Sequence, residues 1–256
     1  MKKVILSGCN GRMGRAVTDL CRNDPGLELI AGFDVLGQSS GEFPVFSNPA
    51  QCELSADALI DFSNPSALDG LLAFARRTRT PLVLCTTGYS QEQLARIDRA
   101  AVELPIFRSA NMSLGVNVLL ELVKKAAAVL GEDFDIEIEE RHHNKKLDSP
   151  SGTALMIAHT AASALPYEPE YVFDRHSVRK PRDKKEIGIS SLRGGSIVGD
   201  HTVVFAGQNE VIELSHHAAS REVFASGAVK AAKFMAGVTK PGLYDMSHLI
   251  GAERGG

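Results

Sequence analysis

Apolar residues along this chain switch repeatedly between strand-like runs and helical spacing, and each switch marks a different kind of element. Residues 4–8 (Val4-Ile5-Leu6-Ser7-Gly8) make a nearly continuous apolar run with the length and branched composition of a buried strand. Met13, Val17, Leu20 and Cys21 then recur on one face of a helix. Further runs at 27–34, 58–62, 82–85 and 106–107 predict four more strands, the later ones separated by helical patterns. Ser90 and Gln93 form a capping-box signature ahead of Leu94 and Ile97, while Pro65 and Pro81 stand at boundaries where proline is tolerated. Alternating strands and helices predict an α/β fold, a Rossmann-like doubly wound parallel sheet.

After about residue 113 the pattern differs. Leu119, Leu120 and Val123 mark a helix, and Phe134, Ile136 and Ile138 then alternate with Asp135, Glu137 and Glu139, as in a strand with one wet face. Strands at 187–192, 202–206 and 211–215 follow almost consecutively, joined by glycine-rich turns. A second α+β domain with an open mixed sheet is expected. Val223, Phe224, Ala231 and Phe234 fit a late helix suited to return to the first domain. The basic stretch 175–186, which contains Pro181, reads as a solvated surface loop, with a nucleic-acid patch as the alternative.

Composition narrows the function. A chain of 256 residues, 44% hydrophobic, can bury one large or two modest cores. Its 28 Lys and Arg against 31 Asp and Glu leave a net charge of -3, which gives no general attraction to nucleic acid or an anionic membrane. Any anion must therefore be held locally. Met1-Lys2-Lys3 runs straight into the first strand, too short for a signal-peptide core, and no apolar run has membrane-spanning length. Cys9, Cys21, Cys52 and Cys85 are widely spaced and read as small buried hydrophobes in a reducing cytoplasm.

Gly8-Cys9-Asn10-Gly11-Arg12-Met13-Gly14 follows a strand and opens a helix, where backbone amides can approach a pyrophosphate and the helix N-terminus favours its charge. The spacing is GxxGxxG rather than GxGxxG, so a purely structural turn is the alternative. Asp34 ends the second strand 20 residues beyond Gly14, where a carboxylate accepts hydrogen bonds from ribose hydroxyls. It would repel a 2′-phosphate, and Val35-Leu36-Gly37-Gln38 brings no cation, so NADH is expected to be preferred, with Arg12 allowing some NADPH binding.

The most specific stretch is Glu140-Arg141-His142-His143-Asn144-Lys145-Lys146-Leu147-Asp148-Ser149-Pro150-Ser151-Gly152-Thr153-Ala154, which gathers imidazoles and ammonium groups beside a new helix start. Ser151, Gly152 and Thr153 offer amides and hydroxyls to a carboxylate. The His-His-x-x-Lys-x-Asp-x-Pro-Ser-Gly-Thr arrangement resembles the signature of the 4-hydroxy-tetrahydrodipicolinate reductase family. The resemblance extends to the glycine loop, Asp61-Phe62-Ser63, Thr86-Thr87-Gly88, Ala110-Asn111-Met112-Ser113, Arg193-Gly194-Gly195, Gly199, His201 and the region from Glu213 to Arg221. It implies a nucleotide domain at 1–113 and 223–256 and a substrate and oligomerisation domain at 114–222, in a homotetramer. It further implies His142 as general acid or electrostatic stabiliser, Lys146 as assisting and substrate-binding cation, and His143, Gly152 and Thr153 as carboxylate ligands. Gly8, Asn10, Gly11, Arg12, Met13, Gly14, Asp34, Phe62, Thr86, Thr87, Gly88, Ala110, Asn111 and Met112 would contact the cofactor. Lys145 stands where the family often carries a third histidine, and no role is assigned to it.

Other chemistry fits these residues less well. Adjacent histidines in an extended segment point apart, and Lys145 and Lys146 repel a cation, so no metal is expected at His142 and His143. His216 and His217 read as structural, and Glu139 and Glu140, facing opposite sides of a strand, do not make a carboxylate dyad. Rival functions are a reductase of another amino-acid-derived carbonyl compound and a nucleotide sensor without turnover.

Overall fold

The computed structural model describes residues 1–37 and 41–254; Gln38, beside Asp34, and residues 255–256 of the expected nucleotide domain lie outside the described residues. In chain order the elements begin with β1 (Lys2–Ser7), α1 (Arg12–Arg22), β2 (Leu27–Phe33), β3 (Val45–Phe46), β4 (Ala58–Asp61), α2 (Leu68–Thr78), β5 (Leu82–Leu84), α3 (Gln91–Ala100), β6 (Pro105–Arg108) and α4 (Leu114–Leu130). They continue with β7 (Asp135–His142), α5 (Gly152–Ala162), β8 (Glu170–Val172), β9 (Glu186–Arg193), β10 (Gly199–Ala206) and β11 (Val211–Ala218). The chain closes with α6 (Glu222–Met235), β12 (Gly242–Tyr244) and α7 (Met246–Arg254). Two compact units result, Met1–Leu114 with Glu222–Gly256, and Gly115–Arg221.

The first unit is built on a seven-stranded parallel sheet in the order β12-β6-β5-β4-β1-β2-β3. Both faces are covered, which is why its strands read as unbroken apolar runs rather than alternations. Val4, Leu6 and Ile60 face α1 and α6, where Val17, Cys21, Ala225, Ala228 and Ala232 keep the packing close. Ile5, Leu59, Leu82 and Leu84 face α2 and α3 through Leu68, Leu71, Phe74 and Ile97. The capping box of α3 is formed, with Ser90 Oγ accepting from Gln93 N at 3.2 Å and Gln93 Oε1 accepting from Ser90 N at 2.9 Å. All four cysteines are buried and unbridged. Burial, with Asp34 nearby, pushes the Cys9 thiol up to about 11, so it is a packed hydrophobe rather than a nucleophile.

The second unit carries a five-stranded mixed sheet, β11-β10-β7-β9-β8, in which β9 runs parallel to β7 and β8 while β10 is antiparallel to β7 and β11. Leu119, Val123, Ile157 and Ala161 of α4 and α5 cover one face, over Ile136, Ile138, Ile189, Val203 and Phe205. The alternation of β7 sends Ile136, Ile138, Glu140 and His142 inward and Glu137, Glu139 and Arg141 outward.

Stretch 175–186 is a largely exposed surface loop up to Lys185, as expected, but two of its arginines are fixed to the sheet. Arg182, with its side chain only 17% exposed, donates to Glu137 Oε1 at 2.9 Å, Asp135 Oδ1 at 3.1 Å and the carbonyls of Ile136, Asp183 and Glu186. Arg175 pairs with Glu137 and Glu186. These arginines are drawn onto the acidic outward face of β7, the central strand of its sheet, and a Cβ on Gly188 across the parallel pair would overlap Glu137 Oε2. Residue 186 itself begins β9.

Candidate active site

At the end of β1 the backbone turns through Gly8, whose φ of 76° favours glycine and whose missing side chain would sit 2.6 Å from Phe62 O. Gly11 N donates to Gly8 O at 3.1 Å and Gly11 caps α1; a Cβ on Gly14 would overlap Gly8 O. The first amides of α1, at Arg12, Met13 and Gly14, have no acceptor within the helix and form a cradle for an anion. Arg12 extends into solvent and Met13 packs on the core. Asp34 Oδ2 accepts from Asn10 N at 3.1 Å and Oδ1 from Leu36 N at 3.2 Å. The carboxylate thus ties the glycine loop to the turn after β2, with acceptor capacity left on both oxygens for ribose hydroxyls.

Phe62 follows β4, Thr86, Thr87 and Gly88 follow β5, and Ala110, Asn111 and Met112 follow β6, all at the carboxyl edge of adjacent parallel strands. Ligands of doubly wound sheets bind along that edge. Asp61, fully buried, accepts from Ser63 N at 3.1 Å, Ser63 Oγ at 2.5 Å and Tyr89 Oη at 3.3 Å, joining the loops after β4 and β5. Met112 is placed differently from a side-chain ligand. Its side chain is buried in the core and its carbonyl lies against Gly227, so it can offer a cofactor only backbone.

The second cluster lies where β7, β9 and β10 meet the start of α5. Inward residues two apart on β7 are neighbours on one face, and His142 Nδ1 lies 2.6 Å from Glu140 Oε2. The parallel register sets Arg193 of β9 opposite His142, and its guanidinium grips Glu140 with bonds of 2.8 and 2.6 Å. Glu140 Oε1 also accepts from Ser151 N at 3.0 Å. Burial opposes ionisation of Glu140, but bonds from Arg193, Ser191, His142 and Ser151 N outweigh it and hold its pKa at about 2.

Ser151 caps α5, accepting from Ala154 N at 3.1 Å, and its Oγ lies 3.0 Å from His201 Nε2. The His201 ring meets His142 edge to face, with centroids 5.3 Å apart. Burial, with the charge of His142, depresses His201 to about 4. At the other ring nitrogen of His142, a Cβ on Gly199 would stand 3.0 Å from Nε2.

Between β7 and α5, Lys146 Nζ pairs with Asp148 Oδ1 at 2.9 Å, and Arg193 donates to Asp148 O at 2.8 Å. His143 is half-buried with Nε2 3.4 Å from Arg221 Nη2. A Cβ on Gly152 would meet nothing within 4 Å, so the first turn of α5 opens onto free space. Stretch 142–153 thus carries an oriented imidazole, an ammonium and an open helix N-terminus, and Arg221 reaches its His143 from the end of the unit. Among the described residues, no group of three or more His, Cys, Asp or Glu is arranged to hold a metal, and no helix is long and apolar enough to cross a membrane.

Family models for the N-terminus and C-terminus of dihydrodipicolinate reductase match residues 2–112 and 115–250. The chain belongs to the dihydrodipicolinate reductase family. Curated relatives named 4-hydroxy-tetrahydrodipicolinate reductase include one from Caldanaerobacter subterraneus subsp. tengcongensis, 52% identical over 98% of both chains. Another, from Clostridium perfringens, is 48% identical over 98% of both. Among solved structures, a dipicolinate-bound dihydrodipicolinate reductase from Paenisporosarcina sp. TG-14 superposes with a TM-score of 0.80 at 25% identity, covering 96% of this chain and 97% of that one. A probable dehydrogenase from Thermotoga maritima shares the fold, at 11% identity and a TM-score of 0.62 over 98% of this chain and 93% of that one. Family membership makes this a pyridine-nucleotide-dependent reductase.

Glu140, Ser191, Arg193, His201, Gly199 and Arg221 surround the predicted residues without having been given roles by sequence reasoning. For Glu140 a signal existed, since an inward Glu two positions before an inward His shares its face. Arg193 and His201 reach the site only through pairing between strands, which local pattern does not encode.

Proposed function

We propose that this chain reduces 4-hydroxy-tetrahydrodipicolinate to tetrahydrodipicolinate with loss of water, in diaminopimelate and lysine biosynthesis in the cytoplasm. The observation that carries the reading is the His142 ring, fixed by Glu140 at 2.6 Å and set within a few residues of Lys146 and the open first turn of α5. A cyclic dicarboxylate suits such a place. His143, Gly152 and Thr153 hold its carboxylates, using amides and partial positive charge at the helix start. Lys146 binds the substrate and stabilises negative charge that develops as the conjugated ring gains electrons. His142 delivers or stabilises the proton at the resulting enamine, a contribution of about 10²- to 10⁴-fold for a general acid.

Reduced nicotinamide, when bound, supplies the hydride. Gly8, Asn10, Gly11, Arg12, Met13 and Gly14 bind the pyrophosphate, and Asp34 the adenosine ribose. Phe62, Thr86, Thr87, Gly88, Ala110, Asn111 and the Met112 backbone line the nicotinamide side. Asp34 favours NADH, because a 2′-phosphate would meet its carboxylate, and Arg12 lets NADPH be accepted more weakly. Residues 1–113 and 223–256 serve as the nucleotide domain, and 114–222 as the substrate and oligomerisation domain of a homotetramer, a state supported by family resemblance.

The test follows NADH absorbance while a separate synthase generates the unstable substrate from pyruvate and aspartate semialdehyde. Synthase-dependent oxidation, inhibited by pyridine-2,6-dicarboxylate, is expected. No oxidation with either nucleotide, despite measured nucleotide binding, would refute the reading, and a lower Kd for NADPH than for NADH would refute the cofactor preference.

A further inference from the structure

We infer that Glu140 is the positioning residue of this site, a single buried carboxylate that dictates which nitrogen of His142 carries the transferable proton and locks that ring to the first amide of the carboxylate-binding turn. The inference rests on the reductase reading for its catalytic consequence, but its structural content stands on geometry alone.

Glu140 is completely buried, and its two oxygens do different jobs. Oε2 faces His142 Nδ1 at 2.6 Å, while Oε1 accepts from Ser151 N at 3.0 Å. An ionised carboxylate only accepts hydrogen bonds, so Nδ1 must be the donor. In the neutral ring Nε2 is then the free lone pair, and in the imidazolium Nε2–H is the proton free to leave. Gly199 stands beside that same nitrogen and presents no side chain to it. Because the carboxylate is small and rigid, the plane of the ring and the N-cap residue of α5 cannot shift independently.

Arg193 makes this arrangement tolerable. A lone buried carboxylate is costly, and beside a dicarboxylate substrate it would also repel the ligand. The bidentate guanidinium cancels the charge and is itself anchored by Leu192 O and Asp148 O, both at 2.8 Å. Buried ion pairs are weak stabilisers, so the pair is better explained by the orientation it enforces than by stability. A second tie runs in parallel, from Ser151 Oγ to His201 Nε2 at 3.0 Å, with the His201 ring edge to face on His142. Proton donor and carboxylate cradle are thereby joined twice.

The experiment is nitrogen NMR on protein labelled with ¹⁵N-histidine, the His142 signals being assigned by their loss in His142→Gln. At mildly alkaline pH the wild-type neutral ring is expected as the Nδ1–H tautomer. In Glu140→Gln, whose amide can accept or donate, that tautomer should no longer be enforced, and kcat should fall about 10²-fold while NADH Kd stays within twofold. Arg193→Lys keeps a cation without the fork, and is expected to retain the tautomer with a smaller loss in kcat. An Nε2–H ring in the wild type overturns the inference even if Glu140→Gln does not fold, and so does an unchanged tautomer with kcat within twofold in that variant. Should the wild type show the expected tautomer but no reductase turnover, the positioning role stands and the reductase reading fails.

Discussion

Gly199→Ala is the cleanest perturbation of the proposed proton donor, because it adds one methyl group beside the nitrogen that matters. The new Cβ would stand 3.0 Å from His142 Nε2 and 3.4 Å from Cδ2, closer than carbon and ring atoms ordinarily approach. The ring has little freedom to retreat, since Nδ1 is held at 2.6 Å by Glu140 and His201 packs on its face. Either the ring turns and loses the Glu140 bond, or it stays and the methyl screens Nε2. Both outcomes impair proton delivery, so a kcat loss of about ten- to hundredfold is expected, part of the 10²- to 10⁴-fold that a general acid contributes. Stability should move little or rise. Gly199 lies in β10 without a positive φ, where alanine is favoured over glycine by roughly 0.5–1 kcal/mol, and the local crowding acts against this gain. Steady-state kinetics in the synthase-coupled assay, with thermal unfolding and NADH titration as controls, separates these effects. A folded variant with wild-type kcat would refute the assignment of Nε2 as the delivering atom.

Other perturbations follow from the same geometry. Lys146→Ala removes the cation proposed to serve both bound substrate and transition state, so KM should rise and kcat fall; an unchanged KM contradicts substrate binding by Lys146. Gly188→Ala puts a methyl where Glu137 Oε2 lies and should cost about 1–3 kcal/mol, with faster proteolysis across residues 173–185; an unchanged Tm would show that the Arg175 and Arg182 contacts to Glu137 adapt freely. Stability should also depend on acid in two steps. His201, near 4 against an ordinary 6.5, is neutral in the fold while the unfolded chain takes up the proton first, so stability drains as pH falls from about 6.5 to about 4. Glu140, near 2 against 4.5, contributes fully above pH 4.5 and loses that contribution as pH falls towards 2. His201→Gln should remove the upper step and Glu140→Gln the lower; a wild-type Tm flat from pH 7 to 4 would contradict the first.

Legibility in the sequence followed from how local each determinant is. β1, β2, β4 and β5 are covered on both faces and announce themselves as apolar runs, and the capping box of α3 is spelled out by Ser90 and Gln93. β3, β8 and β12, of two or three residues at sheet edges, are too short to establish a period, and their pairing partners decide them. In the candidate site the His142 to Thr153 stretch is contiguous and therefore readable. Glu140 stands next to Glu139 in sequence, which faces the opposite side of the strand, and its partner is His142, two positions on and on its own face. In the basic run at 175–186 the ion pairs of Arg175 and Arg182 are not legible, because their acidic counterparts, Asp135 and Glu137, lie some forty positions away and across a strand pair.

The interrupted course of the first unit bears on how the chain is made. β1, β4 and β5 leave the ribosome early, yet the alanine-rich α6 that packs on them and the β12 that extends their sheet are encoded after the whole second unit. At an elongation rate of about 5–20 residues per second the intervening segment takes on the order of ten seconds to synthesise. During that interval one apolar side of the nascent parallel sheet is covered by α1 but lacks α6, while the second unit is continuous in sequence. Assembly order thus runs against chain order: the middle can finish before the beginning. The exposed early strands are where a chaperone would be expected to engage the newborn polypeptide.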